Sequence, residues 1–164
     1  PFYAEHGVEL FADPDEAAAL FLAADERSLR GLLAAHLDRA RPGDYVALCA
    51  FLEMSAENQA AMGDLRNAVS KVTGVATTLR FGPRFLHSTG QAHKDGPATG
   101  LFLQLTDKPN ADLPVPDRRL TFGQVIAAQA RGDFEVLTER GRRALRIHLA
   151  MGAEKGLRRV LAAL

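Results

Sequence analysis

Eight consecutive apolar residues, Tyr45-Val46-Ala47-Leu48-Cys49-Ala50-Phe51-Leu52, constrain this chain more than any other feature. A strand with one wet face alternates apolar and polar residues. A run with no polar position needs cover on both faces, as a parallel strand between helical layers has. Arg41-Pro42-Gly43-Asp44 delimits the run on one side and Glu53 on the other.

The flanking segments supply that cover. Asp13-Pro14 is a helix-start pair, with Asp13 as N-cap and Pro14 in the first helical position. It follows a short strand at residues 7–12 and opens a helical stretch from Asp15 to Ala40, broken near Asp25. Ser55 caps a helix carrying Ala61, Met62, Leu65, Ala68, Val69 and Val72 at helical spacing until Gly74. Strands are predicted at 75–81 and 100–106, a helix capped by Thr121 and a second at 134–140, a strand at 143–150 and a last helix from Ala153. Parallel strands need crossover connections, so this order predicts one domain over residues 1–164. It is a three-layer α/β/α sandwich with a mainly parallel sheet of about five strands. A Pro-rich stretch with Pro109, Pro114 and Pro116 separates the fourth and fifth.

Several function classes drop out. No Gly-x-Gly-x-x-Gly follows a strand, and neither a phosphate-loop Gly-x-x-x-x-Gly-Lys nor a Gly-x-Ser-x-Gly elbow occurs. The single cysteine, Cys49, reads as a small buried residue. The five histidines, His6, His36, His87, His93 and His148, lack compact ligand spacing, and no metal or cofactor is expected. No apolar run reaches membrane-span length and no leader is visible, so a cytoplasmic protein is expected. Residues 1–60 hold 4 Lys and Arg against 11 Asp and Glu, and residues 61–164 hold 16 against 9. That asymmetry favours a small anionic ligand over nucleic acid, since aromatic residues do not interleave with the basic ones.

The segment 82–99 stands out as an 18-residue polar loop between two predicted strands. It gathers Arg84, His87, Ser88, Thr89, Gln91, His93 and Lys94 with three glycines and two prolines. Hydroxyl and amide groups match sugar oxygens, cations match phosphate, and glycines allow close backbone approach. Loops at the carboxyl edge of a parallel sheet are where open α/β folds bind ligands.

Gly82-Pro83-Arg84-Phe85-Leu86-His87-Ser88-Thr89-Gly90-Gln91-Ala92-His93-Lys94, continuing through Gly100-Leu101-Phe102-Leu103-Gln104-Leu105-Thr106, resembles the C-terminal end of bacterial glucose-6-phosphate isomerases fused behind a transaldolase. Thr121-Phe122-Gly123, Ala127 to Asp133 and Arg142 to Leu149 agree with the same family end. The resemblance implies a sugar-isomerase (SIS) sandwich and interconversion of glucose 6-phosphate and fructose 6-phosphate. It implies Gln91 toward the phosphate and Lys94 toward the sugar oxygens, as the catalytic cation that stabilises negative charge in ring opening or enolisation; His93, Ser88, Thr89, His87 and Arg84, from the composition of the same segment, are the further expected substrate-binding residues.

Two departures qualify the role of Lys94. It follows Gln91 by three residues, whereas single-function isomerases carry a longer Gln-x-Gly-Val-Glu-x-x-Lys pattern, and Asp95 stands beside it as a pairing carboxylate. The family's phosphate-cradling Ser/Thr loop and catalytic Glu lie upstream of the matching part. The resemblance therefore implies a fragment whose partners are the upstream isomerase and transaldolase segments, inactive alone and belonging to a possible homodimer. Glu53, at the end of the apolar strand, is the one local carboxylate that reads as a substitute base. The alternative is a noncatalytic sugar-phosphate-binding or domain-assembly module.

Overall fold

The computed structural model describes residues 1–108 and 111–164. The strands are β1 (Tyr3–Glu5), β2 (Val8–Phe11), β3 (Tyr45–Phe51), β4 (Ala76–Phe81), β5 (Gly100–Asp107) and β6 (Arg143–Leu149). The helices are α1 (Pro14–Ala23), α2 (Leu29–Leu37), α3 (Ala56–Thr73), α4 (Thr89–Asp95), α5 (Phe122–Glu139) and α6 (Ala153–Ala162). All six strands form one sheet, ordered β1-β2-β6-β5-β3-β4. β4, β3, β5 and β6 pair in parallel, whereas β2 joins β6 and β1 joins β2 antiparallel.

The apolar run is β3, inside the sheet between β4 and β5. Its side chains divide by alternation. Val46, Leu48 and Ala50 enter a large core with Leu101, Leu103, Leu105, Leu145, Ile147 and Leu149, covered by residues of α1, α2, α3 and α6. Ala47, Cys49 and Phe51 enter a smaller core with Phe85, Phe102, Ala144 and, from α5, Ala130, Phe134 and Leu137. The sheet thus lies between two helical layers of unequal extent.

Helix starts follow the expected chemistry. Asp13 accepts from the Asp15 and Glu16 amides at 3.1 and 3.0 Å. Ser55 accepts from Asn58 N at 3.2 Å. Thr121 and Gln124 exchange a reciprocal pair of bonds at α5, a capping box. The break near Asp25 separates α1 from α2, where Ser28 takes the cap.

Three expectations need correction. The sheet has six strands rather than about five, because Tyr3–Glu5 pairs with β2 across a two-residue turn in which His6 and Gly7 both adopt positive φ, 47° and 78°. The segment 134–140 is not a second helix: α5 runs unbroken from Phe122 to Glu139, since Gly132 faces open space and imposes no break. The segment 82–99 is not an open loop either. A 3-10 turn at Arg84–His87 leads into α4. Pro109, in the predicted Pro-rich stretch, lies outside the described residues.

Candidate functional site

Below the carboxyl ends of β3 and β5, on the face covered by α5, lies a cavity of about 550 Å³. The chain leaves β3 toward β4 on one side and returns to β5 on the other, so the cavity sits at the sheet's topological switch point. Its size is within the range of small-molecule sites. Phe11, Phe51, Phe122 and Ile126 give apolar walls, and Arg146, His148, Thr106, Asp107 and Glu53 give polar ones.

Strand register orders the polar groups by depth. Arg146 stands level with Gln104 and Phe11, and His148 stands two residues further along, level with Thr106 and Glu9. Two residues of strand are roughly 6.6 Å. Glu53 and Asp107 also line the cavity at the strand ends, Asp107 standing level with Leu149 and accepting from the Ala153 amide at the start of α6. His148 Nδ1 lies 3.0 Å from Thr106 Oγ1, which fixes the ring. Burial pushes the Asp107 carboxyl up, against the pull of His148. A carboxyl moved in that direction is a better proton acceptor near neutrality than an ordinary aspartate.

Arg146 is held from three sides. Its Nε donates to Gln104 Oε1 at 2.7 Å, one amino group donates to the Ala130 carbonyl at 3.0 Å, and the guanidinium lies 4.5 Å from the Phe134 ring centroid. Gln104, fully buried, also donates to Ala130 O at 2.9 Å and faces Asp133 Oδ2 at 3.4 Å. Asp133 in turn binds the Lys94 ammonium at 2.8 Å. A buried polar chain therefore runs under α5 from Lys94 to the cavity.

The residues singled out in the segment 82–99 separate into two groups, and none of these lines the cavity. His93 is buried among Tyr45, Phe85 and Phe102, with ring centroids 5.2 to 6.3 Å away, and burial holds its imidazole below the usual range. Lys94 pairs inward with Asp133, while the neighbouring Asp95 pairs with Arg140 instead of Lys94. Arg142 fixes this arrangement by donating to the Lys94 and Gly96 carbonyls, both at 2.7 Å. Arg84, His87, Ser88, Thr89 and Gln91 are exposed. Gln91 folds back to donate to Leu86 O at 3.0 Å. Phe51, packed on Phe85 at 5.5 Å between ring centroids, stands between this surface and the cavity.

Glu53 does reach the cavity wall. The sequence alone does not single out Arg146 or Asp107, and His148 reads there as structural. A signal for them is nonetheless present: in a strand whose Ala144, Leu145, Ile147 and Leu149 are buried, Arg146 and His148 are the polar interruptions on one face. Cys49 is buried, as expected, and burial pushes its thiol well up, away from nucleophile chemistry. Among the described residues no cluster of His, Cys, Asp or Glu has the makings of a metal site, and no helix is long and apolar enough to cross a membrane.

No family model matches the chain, and no curated protein does. Solved structures do match. The hypothetical protein TT0462 of Thermus thermophilus superposes with a TM-score of 0.62 at 19% identity, over 92% of this chain and 42% of that one. At this identity the likeness is one of fold, and the chain spans less than half the length of that neighbour.

Proposed function

We propose that this chain is the C-terminal part of an aldose–ketose isomerase that interconverts glucose 6-phosphate and fructose 6-phosphate, of SIS type and fused in its parent to a transaldolase. The observation that carries the reading is the switch-point cavity, whose lining holds the acid–base groups Glu53, Asp107 and His148 together with Arg146. Aldose–ketose isomerisation needs a base to take a proton from C2 of the open sugar. It also needs that proton returned to C1, while the hydroxyl proton passes from O2 to O1 through an enediol. Every atom stays within substrate and protein, so no oxidant or cofactor is required. Asp107, raised by burial, and Glu53 are the candidate proton carriers.

In this reading Lys94 acts through Asp133 and does not touch the sugar, because its ammonium is already engaged. The exposed group Arg84, His87, Ser88, Thr89 and Gln91 faces outward, where upstream segments of the parent would meet it. That same outward exposure supports the second reading, a noncatalytic sugar-phosphate-binding or assembly module.

Isomerase turnover of the complete gene product tests the proposal. Asp107→Asn or Glu53→Gln should lower kcat at least a hundredfold, in keeping with the 10²–10⁴ worth of a general base. Wild-type kcat and KM in both variants would end the catalytic reading and leave the binding module.

A further inference from the structure

We infer that the floor of the cavity is an anion site in which Arg146 receives the phosphate of a small phosphorylated ligand. The identity of that ligand, a hexose phosphate, rests on the proposed function; the site stands on charge and geometry.

Six of the chain's cations are matched by carboxylates: Arg39 by Glu16, Arg143 by Asp44, Arg140 by Asp95, Arg131 by Glu135, Arg158 by Glu154 and Lys94 by Asp133. Two half-buried arginines have no carboxylate partner among the described residues: Arg142 spends its bonds on the Lys94 and Gly96 carbonyls at the end of α4, away from the cavity, and the one that lines the cavity is Arg146. Its hydrogen bonds go to neutral oxygens of Gln104 and Ala130, and among the described residues no carboxylate lies within ion-pair distance. Its second amino group takes no partner among those residues. Lowering a guanidinium into a partly apolar wall without a countercharge is costly, and a bound anion offsets that cost.

The network behind Arg146 reinforces the imbalance. Lys94, Asp133, Gln104 and Arg146 hold two cations and one carboxylate. Lys94 saturates Asp133, and the Gln104 amide stands between Asp133 and Arg146. Glu135, the carboxylate that acts most strongly on Arg146, is itself paired with Arg131, so the surplus positive charge is left at the cavity floor.

The acidic groups sit elsewhere. Glu9 lies one row up beside His148, Asp107 and Glu53 line the cavity at the strand ends, and Asp112 caps α5 through Gly123 N at 2.8 Å. Four carboxylates against one arginine repel phosphate everywhere in the cavity except at Arg146, so phosphate goes to the floor and the uncharged end of the ligand points outward. An extended six-carbon sugar phosphate anchored at Arg146 brings its far carbons past the His148–Thr106 row, toward Asp107 and Glu53.

Calorimetric and amide-shift titrations of the 164-residue chain test this, with inorganic phosphate, fructose 6-phosphate and neutral fructose as probes. The two phosphates should bind and fructose should not, with shifts on Phe11, Thr106 and Ala130. Arg146→Met, which keeps the stack on Phe134, should raise both Kd values at least tenfold, while Arg131→Ala, at an exposed pair, should not. Should Arg146→Met fail to fold, Ala127→Trp narrows the cavity from an exposed helix position and should weaken fructose 6-phosphate binding comparably. Unchanged phosphate affinity in Arg146→Met, shifts confined to Arg84, His87 and Ser88, or no phosphate binding at all would overturn the anion site. Arg146-dependent binding of inorganic phosphate without fructose 6-phosphate would uphold the site and remove the hexose-phosphate reading. Isomerase turnover of the complete gene product with KM unchanged in Arg146→Met would do the reverse.

Discussion

The two faces of the sheet are built to different standards. Under α1, α2, α3 and α6, the inward positions of β2, β3, β5 and β6 are aliphatic apart from Arg143 and Asp107 at strand ends, and Leu103, Leu145 and Ile147 are at most 1% exposed. Under α5, the same strands present Glu9, Arg146, His148, Gln104 and Thr106, with a cavity left where the packing stops. The first face is saturated by dispersion and burial, so it is where the chain gains stability. The second trades packing for polar groups that must find partners, and one of them, Arg146, is left facing the cavity.

This contrast can be broken or sharpened by substitution. The largest expected effect is at the buried pair of the second face. Asp133→Ala strands the Lys94 ammonium under α5 and should cost about 3–5 kcal/mol in urea unfolding, most of it recovered in Lys94→Met/Asp133→Leu, where no charge is left. On the aliphatic face Leu103→Ala should cost roughly 3 kcal/mol, through lost burial and a residual cavity. Thr106→Val, at the cavity wall, should cost about 1 kcal/mol, one hydrogen bond to His148. If Thr106→Val proved as damaging as Leu103→Ala, the division between a stabilising face and a functional one would be wrong.

Acidification probes a seam on the first face. His36 is fully buried, its ring nitrogens unpartnered, with Glu16 Oε1 3.6 Å away and Arg39 and Arg143 also near. Burial holds the imidazole below its ordinary value of 6.5. Burial works to raise Glu16, but His36 and Arg39 outweigh it and hold that carboxyl below its own usual value. In both cases the unfolded chain takes up protons before the folded one does. Stability should therefore start to fall as pH drops through roughly 6.5, from His36, and fall further below about 4.5, from Glu16. His36→Leu should flatten the upper part of that slope in unfolding curves measured between pH 7 and 5. An effect as small as that of Thr106→Val is expected at the entry to α5: Thr121→Ala removes half of its capping box and should cost about 1 kcal/mol.

The parallel core was legible because its signals are local and strong. An unbroken apolar run needs two covers, and Asp13-Pro14, Ser55 and Thr121 announce helices by the hydrogen bonds they accept. The hairpin was not legible: His6-Gly7 supplies the positive φ values of a tight turn without the familiar Asn-Gly spelling. The segment 82–99 looked like a loop because its composition is polar and glycine-rich. What makes α4 a helix is tertiary, the grip of Arg142 on the carbonyls at its end and the burial of His93 among three rings. The same tertiary context turns Lys94 inward, which no spacing rule predicts. Arg146 and Asp107 belong to no sequence motif because a cavity is a property of several strands and a helix together, each contributing one or two ordinary residues.

The borders of the sheet also differ in what they offer a neighbouring chain. On one side the last strand, β1, has three residues, too few to template a stable ladder, and its hairpin turn closes the adjoining end. On the other side β4 runs for six residues with Thr77 and Thr78 in its middle, and it pairs only with β3. Among the described residues the sheet can therefore lengthen in one direction, by a strand laid along β4, where exposed Arg80 acts as a charged gatekeeper against indiscriminate edge-to-edge growth.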